Sequence, residues 1–146
     1  MSKYMRADYV IHLLSRTRDR IQKFLARELE KQGILDLAPA HAGVLFALGK
    51  NGPMRMSELA TALDRTNSTA TALLDKMEEL GYVIRTKLDQ DERFTTAGLT
   101  EKGNRSVEKV IKASKITLNK LYKGLEETEK AQFMRLLSKI HANFEN

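Results

Sequence analysis

Between Met5 and Gln32, apolar side chains recur at Val10, Leu13, Leu14, Ile21, Leu25 and Leu29, with Thr17 in the same stripe. That spacing of three and four predicts an amphipathic helix, and Gly33 is its stop. LAPAHAGVLFALGKNGP follows, where Pro39 suits a first helical turn and Gly49 to Pro53 read as breakers. MRMSELATALD reads as a short helix that turns Leu59, Ala60 and Leu63 inward. DRTNSTATALLDKMEELG is a further helix with Thr66 as its N-cap and Gly81 as its stop, and its Leu73, Leu74, Met77 and Leu80 are core at helical spacing.

At YVIRTKL the period changes from 3.6 to 2. Tyr82, Ile84, Thr86 and Leu88 fall on one face, and Val83, Arg85 and Lys87 on the other, which predicts a strand. LDQDER is an acidic turn and FTTAGLT a second, weaker strand. Thr100 then opens a long helix striped by Val107, Val110, Ile111, Ser114, Leu118, Leu121 and Leu125. A last helix from Thr128 carries Phe133, Leu136, Leu137, Ile140 and Phe144.

Two adjacent helices, a tight turn and a following hairpin describe a winged helix-turn-helix. The expected fold is therefore mainly α with a small two- or three-stranded β wing. Residues 1–146 form one domain, with the winged helix-turn-helix at 37–100 and long helices at 1–36 and 101–146. The central unit is too small to cover every apolar stripe of the terminal helices. A second copy of the chain is the simplest cover, so a homodimer is expected.

Charge changes this picture more than composition does. The net charge of +6 favours an anionic partner, although many basic proteins bind none. The excess lies at the ends: residues 1–36 carry +3 and 104–146 carry +4, whereas 54–103 carry −2. The chain has no cysteine, which excludes disulfides and thiolate metal sites. No apolar run approaches a membrane span and MSKYMRADYV lacks a signal-peptide core, so a cytoplasmic protein without a membrane partner is expected. His12, His41 and His141 lie far apart without ligand spacing, so neither a metal nor another cofactor is expected. No nucleophile–base motif or phosphate-binding glycine loop suggests an enzyme.

LAPAHAGVLFAL, MSELATAL, STATALLDKMEELGYVIR and DERFTTAGLTEKG, in this order and spacing, resemble the multiple antibiotic resistance regulator (MarR) family of transcription factors. The most specific piece is the last: Asp-x-Arg, six residues from that Arg to Leu-Thr, then Gly103. The resemblance implies a homodimer held by its terminal helices, with two winged heads on a near-palindromic duplex whose half-sites lie about 10 bp apart. It also implies a ligand-responsive repressor, with a small aromatic or phenolic effector bound between the dimer helices and the winged region. The family's second wing strand usually alternates β-branched residues, where this chain has Ala97 and Gly98.

The candidate DNA-binding residues are Arg65, Thr66, Asn67, Ser68, Thr69, Thr71, Lys76, Arg85, Lys87 and Arg93. The helix after Thr66 has no positive charge before Lys76, but its N-terminal N–H groups suit phosphate and its small polar side chains suit base edges. The blander reading leaves Thr66 as a cap and the others as solvated surface. The resemblance gives Arg93 to the minor groove or its phosphates, with Asp91 and Asp89 bracing it; on residues alone DQDER also reads as a solvated turn. Arg85 and Lys87 share a strand face and are candidates for phosphates, or for solvation alone. His12, Arg16 and His41 are candidates for the effector cavity, although surface histidines are the commoner case. The rival function is a winged-helix protein-interaction module without a sequence-specific DNA site, supported by the acidic balance of the winged segment.

Overall fold

The computed structural model of this chain describes residue 2, residues 5–87 and residues 95–145. A 3-10 turn at Ala7–Tyr9 leads into α1 (Val10–Lys31), followed by α2 (Pro39–Asn51), β1 (Met54–Arg55), α3 (Met56–Ala62) and α4 (Asn67–Glu79). Then come β2 (Val83–Lys87), β3 (Thr95–Leu99), α5 (Glu101–Leu121) and α6 (Glu127–Ala142). The three strands form one antiparallel sheet in the order β1-β3-β2, with Val83 opposite Leu99 and Met54 opposite Ala97. This is the winged helix-turn-helix, with the third strand present.

Several boundaries follow from local chemistry. Gly33 and Gly81, both at φ 85°, end α1 and α4 in the left-handed conformation that glycine adopts without a Cβ penalty. Asp64 (φ 52°) does the same between α3 and α4, where the Arg65 N–H reaches the Ala60 carbonyl and the Asp64 N–H that of Thr61. Thr66 caps α4 by accepting from the Thr69 N–H, and Thr100 caps α5 by accepting from the Gly103 N–H. Leu45, Leu48, Leu59, Leu74, Met77, Val83 and Val110 meet in one core between the winged unit and α5.

Four sequence expectations need correction. Gly49 does not break α2, which runs on to Asn51 and ends at Gly52 (φ 72°). Gly49 instead admits a neighbour, because a Cβ there would come 2.7 Å from Val107 Cγ1 of α5. Met54 and Arg55 pair with β3 rather than starting α3, since a partner strand overrides the weak helical pattern of so short a segment. The buried residues of α5 are Gly103, Ser106, Val110, Ala113 and Thr117, so that of the expected stripe only Val110 is fully buried and Val107, Ile111, Ser114 and Leu121 are partly so. Small side chains let α5 approach its neighbours closely, and Leu118 and Leu125 on the adjoining surface are 50% and 37% exposed. Finally, α6 begins at Glu127 with the Glu126 N–H donating to the Glu129 carboxylate, one residue before the threonine expected to open it.

Besides the contact of α2 with α5, the winged unit is fastened to α5 at one hydrogen-bonded corner. The Thr100 hydroxyl donates to the Gly81 carbonyl, and the Thr100 N–H to that of Tyr82. A Cβ on Gly103 would overlap the Tyr82 carbonyl oxygen, so only glycine fits there. The Tyr82 hydroxyl donates to Asp36 at 2.6 Å, and Lys102 Nζ lies 4.3 Å above the same ring while donating to the Leu80 carbonyl. Burial first, and the bond to Asp36 second, push the Tyr82 pKa up to about 12 from 10.0.

A raised phenol pKa means that the stabilisation is complete below pH 10 and fades as the pH rises through about 12. Of the four tyrosines, Tyr82 should ionise near pH 12 in a spectrophotometric titration of the folded protein, and Tyr82→Phe should abolish that step. Urea unfolding of the same variant should show a loss of about 1 kcal/mol, the usual worth of one such hydrogen bond.

Candidate nucleic-acid interface

The face of α4 that turns away from the core is small and polar. Ala70, Leu74 and Met77 are buried beneath it, while Asn67, Ser68, Thr69, Thr71 and Lys76 are exposed. Arg65 and Thr66, just before the helix, are exposed too. The structure thus leaves seven of the expected contact residues exposed, with Asn67 and Thr71 on the side of α4 that faces the sheet and Lys76 on the opposite side of the helix.

Their hydroxyls are not equivalent. Thr66 Oγ1 accepts from the Thr69 N–H at 3.2 Å and donates to Thr69 Oγ1 at 3.0 Å, so these two serve the cap. Ser68 Oγ lies 3.2 Å from Thr66 Oγ1 in the same cluster. Thr71 donates back to the Asn67 carbonyl at 2.8 Å, which orients its methyl and leaves its oxygen able to accept. Among the described residues, nothing hydrogen-bonds the Asn67 side-chain amide. Asn67 and Thr71 are therefore the pair best placed for an external partner.

Beside them runs a groove of about 770 Å³ between α4 and the sheet, lined by Ser57, Asn67, Thr71, Glu78, Arg85 and Lys87, among others. Ser57, in the first turn of α3, was not singled out in the sequence; its place two residues before the buried Leu59–Ala60 pair was the available signal. Arg85 and Lys87 do share a strand face, yet their surroundings differ. Arg85 Nη2 pairs with Asp75 Oδ1 at 2.7 Å and Arg85 Nε with Glu78 Oε2 at 2.8 Å. The bond to Glu78 raises the arginine pKa, against the burial that lowers it. Arg85 thus binds β2 to α4 and neutralises two carboxylates at the groove wall, whereas Lys87 stands at its exposed rim. Asp89, Asp91 and Arg93 lie outside the described residues.

The three effector candidates are not drawn together. His12 is exposed on α1, its ring 4.9 Å from that of Tyr9, and Arg16 is exposed on the same helix. His41 is engaged at the start of α2, where its Nδ1 accepts from the Ala38 N–H. Burial and then the charge of Lys76 lower the His41 pKa, so its ring is neutral at neutral pH, as that bond requires. No group of three or more His, Asp or Glu side chains arranged to hold a metal occurs among the described residues.

The model of the MarR family matches residues 35–93, from the start of the winged unit into its wing. Over nearly the whole chain, the HTH-type transcriptional repressor IacR of Pseudomonas putida is 27% identical across 143 residues, covering 98% of this chain and 84% of that protein. Residues 35–93 are thus similar to the MarR family, and the likeness to a relative extends over nearly the whole chain. Solved structures agree on the fold. The S. aureus MepR–DNA complex superposes with a TM-score of 0.79 at 24% identity, covering 97% of this chain and 99% of that one. Bordetella bronchiseptica BpsR, whose DNA binding is regulated by 6-hydroxynicotinic acid, superposes with a TM-score of 0.72 at 22% identity, covering 90% and 98%. Among the described residues, no helix is long and apolar enough to cross a membrane.

The arginine clamp can be weighed directly. Arg85→Ala frees two carboxylates beside the α4 groove and should cost about 1 kcal/mol in urea unfolding, the upper end for a half-exposed network. Arg85→Lys should recover less than half of that loss, because an ammonium cannot hold both carboxylates in the guanidinium's fixed fork.

Proposed function

We propose that this chain is a ligand-responsive transcriptional repressor that acts as a homodimer on a pseudo-palindromic DNA site. The observation that carries the reading is the exposed pair Asn67 and Thr71 on α4, which line the groove beside the sheet. A helix whose reading surface is this small lets its backbone approach base edges. Asn67 suits a bidentate contact to adenine, and the Thr71 methyl suits the methyl of thymine. Phosphates would be held by Arg65, Lys76, Lys87 and the α4 N-terminus, with Arg93 in the adjoining minor groove. Arg85 positions rather than contacts. The naming of IacR as a repressor and the DNA bound by MepR support the same reading.

In this reading the winged region at 37–100 is the DNA-binding unit, and the helices at 1–36 and 101–146 join the two copies. The support is that α6 buries none of its residues within its own chain, leaving Phe133, Leu136 and Ile140 at least 40% exposed. Val10, Ile11 and Leu14 of α1 are uncovered as well. The regulation of BpsR by a small aromatic acid supports an effector of that class. Such an effector represses or releases only by preferring one spacing of the two heads, whatever its affinity. The rival reading, a protein-interaction module, draws on the −2 charge of residues 54–103. Arg85 weakens it by neutralising Asp75 and Glu78, the acidic side chains beside the groove.

A fluorescence-anisotropy titration against genomic fragments at several salt concentrations should find one fragment bound well above random duplex. Asn67→Ala and Thr71→Ala should erode that preference by about 1–3 kcal/mol, whereas Arg93→Ala should weaken all sequences and flatten the salt slope by about one. Equal affinity for every fragment would favour the protein-interaction module instead. Sedimentation at micromolar concentration should show a dimer; a stable monomer would overturn the assignment of the terminal helices.

A further inference from the structure

Much of the positive charge lies away from α4, on two helices that run side by side. Lys102, at the start of α5, reaches Asp36 just beyond the end of α1, while Lys120 Nζ, near the other end of α5, lies 4.5 Å over the Phe24 ring. The two helices are therefore antiparallel. On α5, Val107 marks the side that meets Gly49 of α2, and Lys120 the side that meets α1. At about 100° per residue, Lys109 and Lys112 continue from Lys120 onto the outer surface, and Lys123 follows in the turn just past the end of α5. On α1, Arg16, Arg20, Lys23 and Arg27 recur at spacings of four, three and four beside Phe24. All of these cations are exposed.

Two basic rows thus flank one seam. Asp19, Glu30 and Glu108 sit at its outer edges, and Glu101 is paired with Arg105. The exposed apolar residues Val10, Ile11 and Leu14 of α1 and Leu118 of α5 lie on the opposite flanks, so dimerisation through them leaves the rows uncovered.

The chemistry selects the occupant. The helical parts of both rows are straight and roughly 16 Å long, at about 1.5 Å per residue. Between them Phe24 is half-buried under Lys120, so no exposed apolar anchor is available to enter a bilayer or seat a peptide helix. What remains is a rigid array of cations matched to a rigid polyanion. We propose that this face binds a second DNA duplex through its phosphates, without reading bases, so that the dimer can bridge two segments. The choice of DNA rests on the function proposed above; the surface itself does not.

The test is capture of a second duplex by the full-length protein. A random-sequence duplex is fixed to beads, protein is added, and a fluorescent duplex of unrelated sequence follows. The wild type should capture it, with steep loss on raising salt. Arg20→Gln/Lys23→Gln/Arg27→Gln/Lys112→Gln should capture at least about tenfold less, while its affinity for a single duplex changes by less than about twofold. Lys23→Arg/Lys112→Arg, which keeps the charge, should capture like the wild type. Equal capture by the neutralised variant, or none by the wild type, overturns the proposal. Binding to vesicles containing anionic lipid in place of the second duplex overturns it as well. Asn67→Ala/Thr71→Ala should lose sequence preference but retain capture, so failure of base reading at α4 is told apart from failure of this surface.

Discussion

The close approach of the α5 N-terminus to the Tyr82 carbonyl governs how the rest of the molecule is put together. Only glycine fits at Gly103, and the preceding Thr100 both caps α5 and bonds to Gly81 across the gap. Through Tyr82, the same corner takes in Asp36 before α2 and Lys102 on α5. Each bond is worth about 1 kcal/mol alone, yet together they join the helix that leaves the wing to the strand that enters it. The notch at Gly49, filled by Val107, makes a second tight contact between α2 and α5. With two such contacts, the winged head and α5 move as one piece.

That rigidity gives a context for the distribution of charge. The winged segment is acidic in sum, but its carboxylates are not all directed at the groove. Asp75 and Glu78 are held by Arg85, and Asp64 accepts from His141 Nε2 of α6 at 3.1 Å when that nitrogen carries the proton. Small hydroxyl and amide groups are left facing outward from α4. A reading surface of this kind derives selectivity from shape and hydrogen bonds, while attraction is supplied from elsewhere on the molecule.

Much of this was legible in the residues. The helical stripes, the change of period at Tyr82 and the caps at Thr66 and Thr100 are local properties, and each is found where the pattern placed it. Apart from the start of α6, which a local Glu126–Glu129 cap sets, the departures were tertiary. Gly49 reads as a breaker until Val107 is seen to need its space, and Met54–Arg55 becomes a strand only because Ala97 and Thr96 offer a partner. Ala97, unusual for this wing strand, is explained the same way, because it is wholly buried; nothing in the structure requires glycine at Gly98, where a Cβ would make only an ordinary contact with Pro53. The α5 stripe misled because hydrophobicity ranks leucine above alanine, whereas close helix packing selects small side chains at the contact. At the interface, the polar face of α4 was evident, but the engagement of Arg85 by two carboxylates was not. Its partners, ten and seven residues earlier, are set beside it only by the turn at Gly81.

The C-terminal helix has one more consequence. Because α6 fully buries none of its side chains within its own chain, its order depends largely on what lies against it. In a dimer of this kind, folding of the last helix and association are one equilibrium, and the midpoint of thermal unfolding rises with the amount of protein present. A cell that dilutes the protein would then lose more than occupancy of a DNA site. The loss would fall on the architecture that spaces the two heads, making abundance itself a control on the molecule's shape.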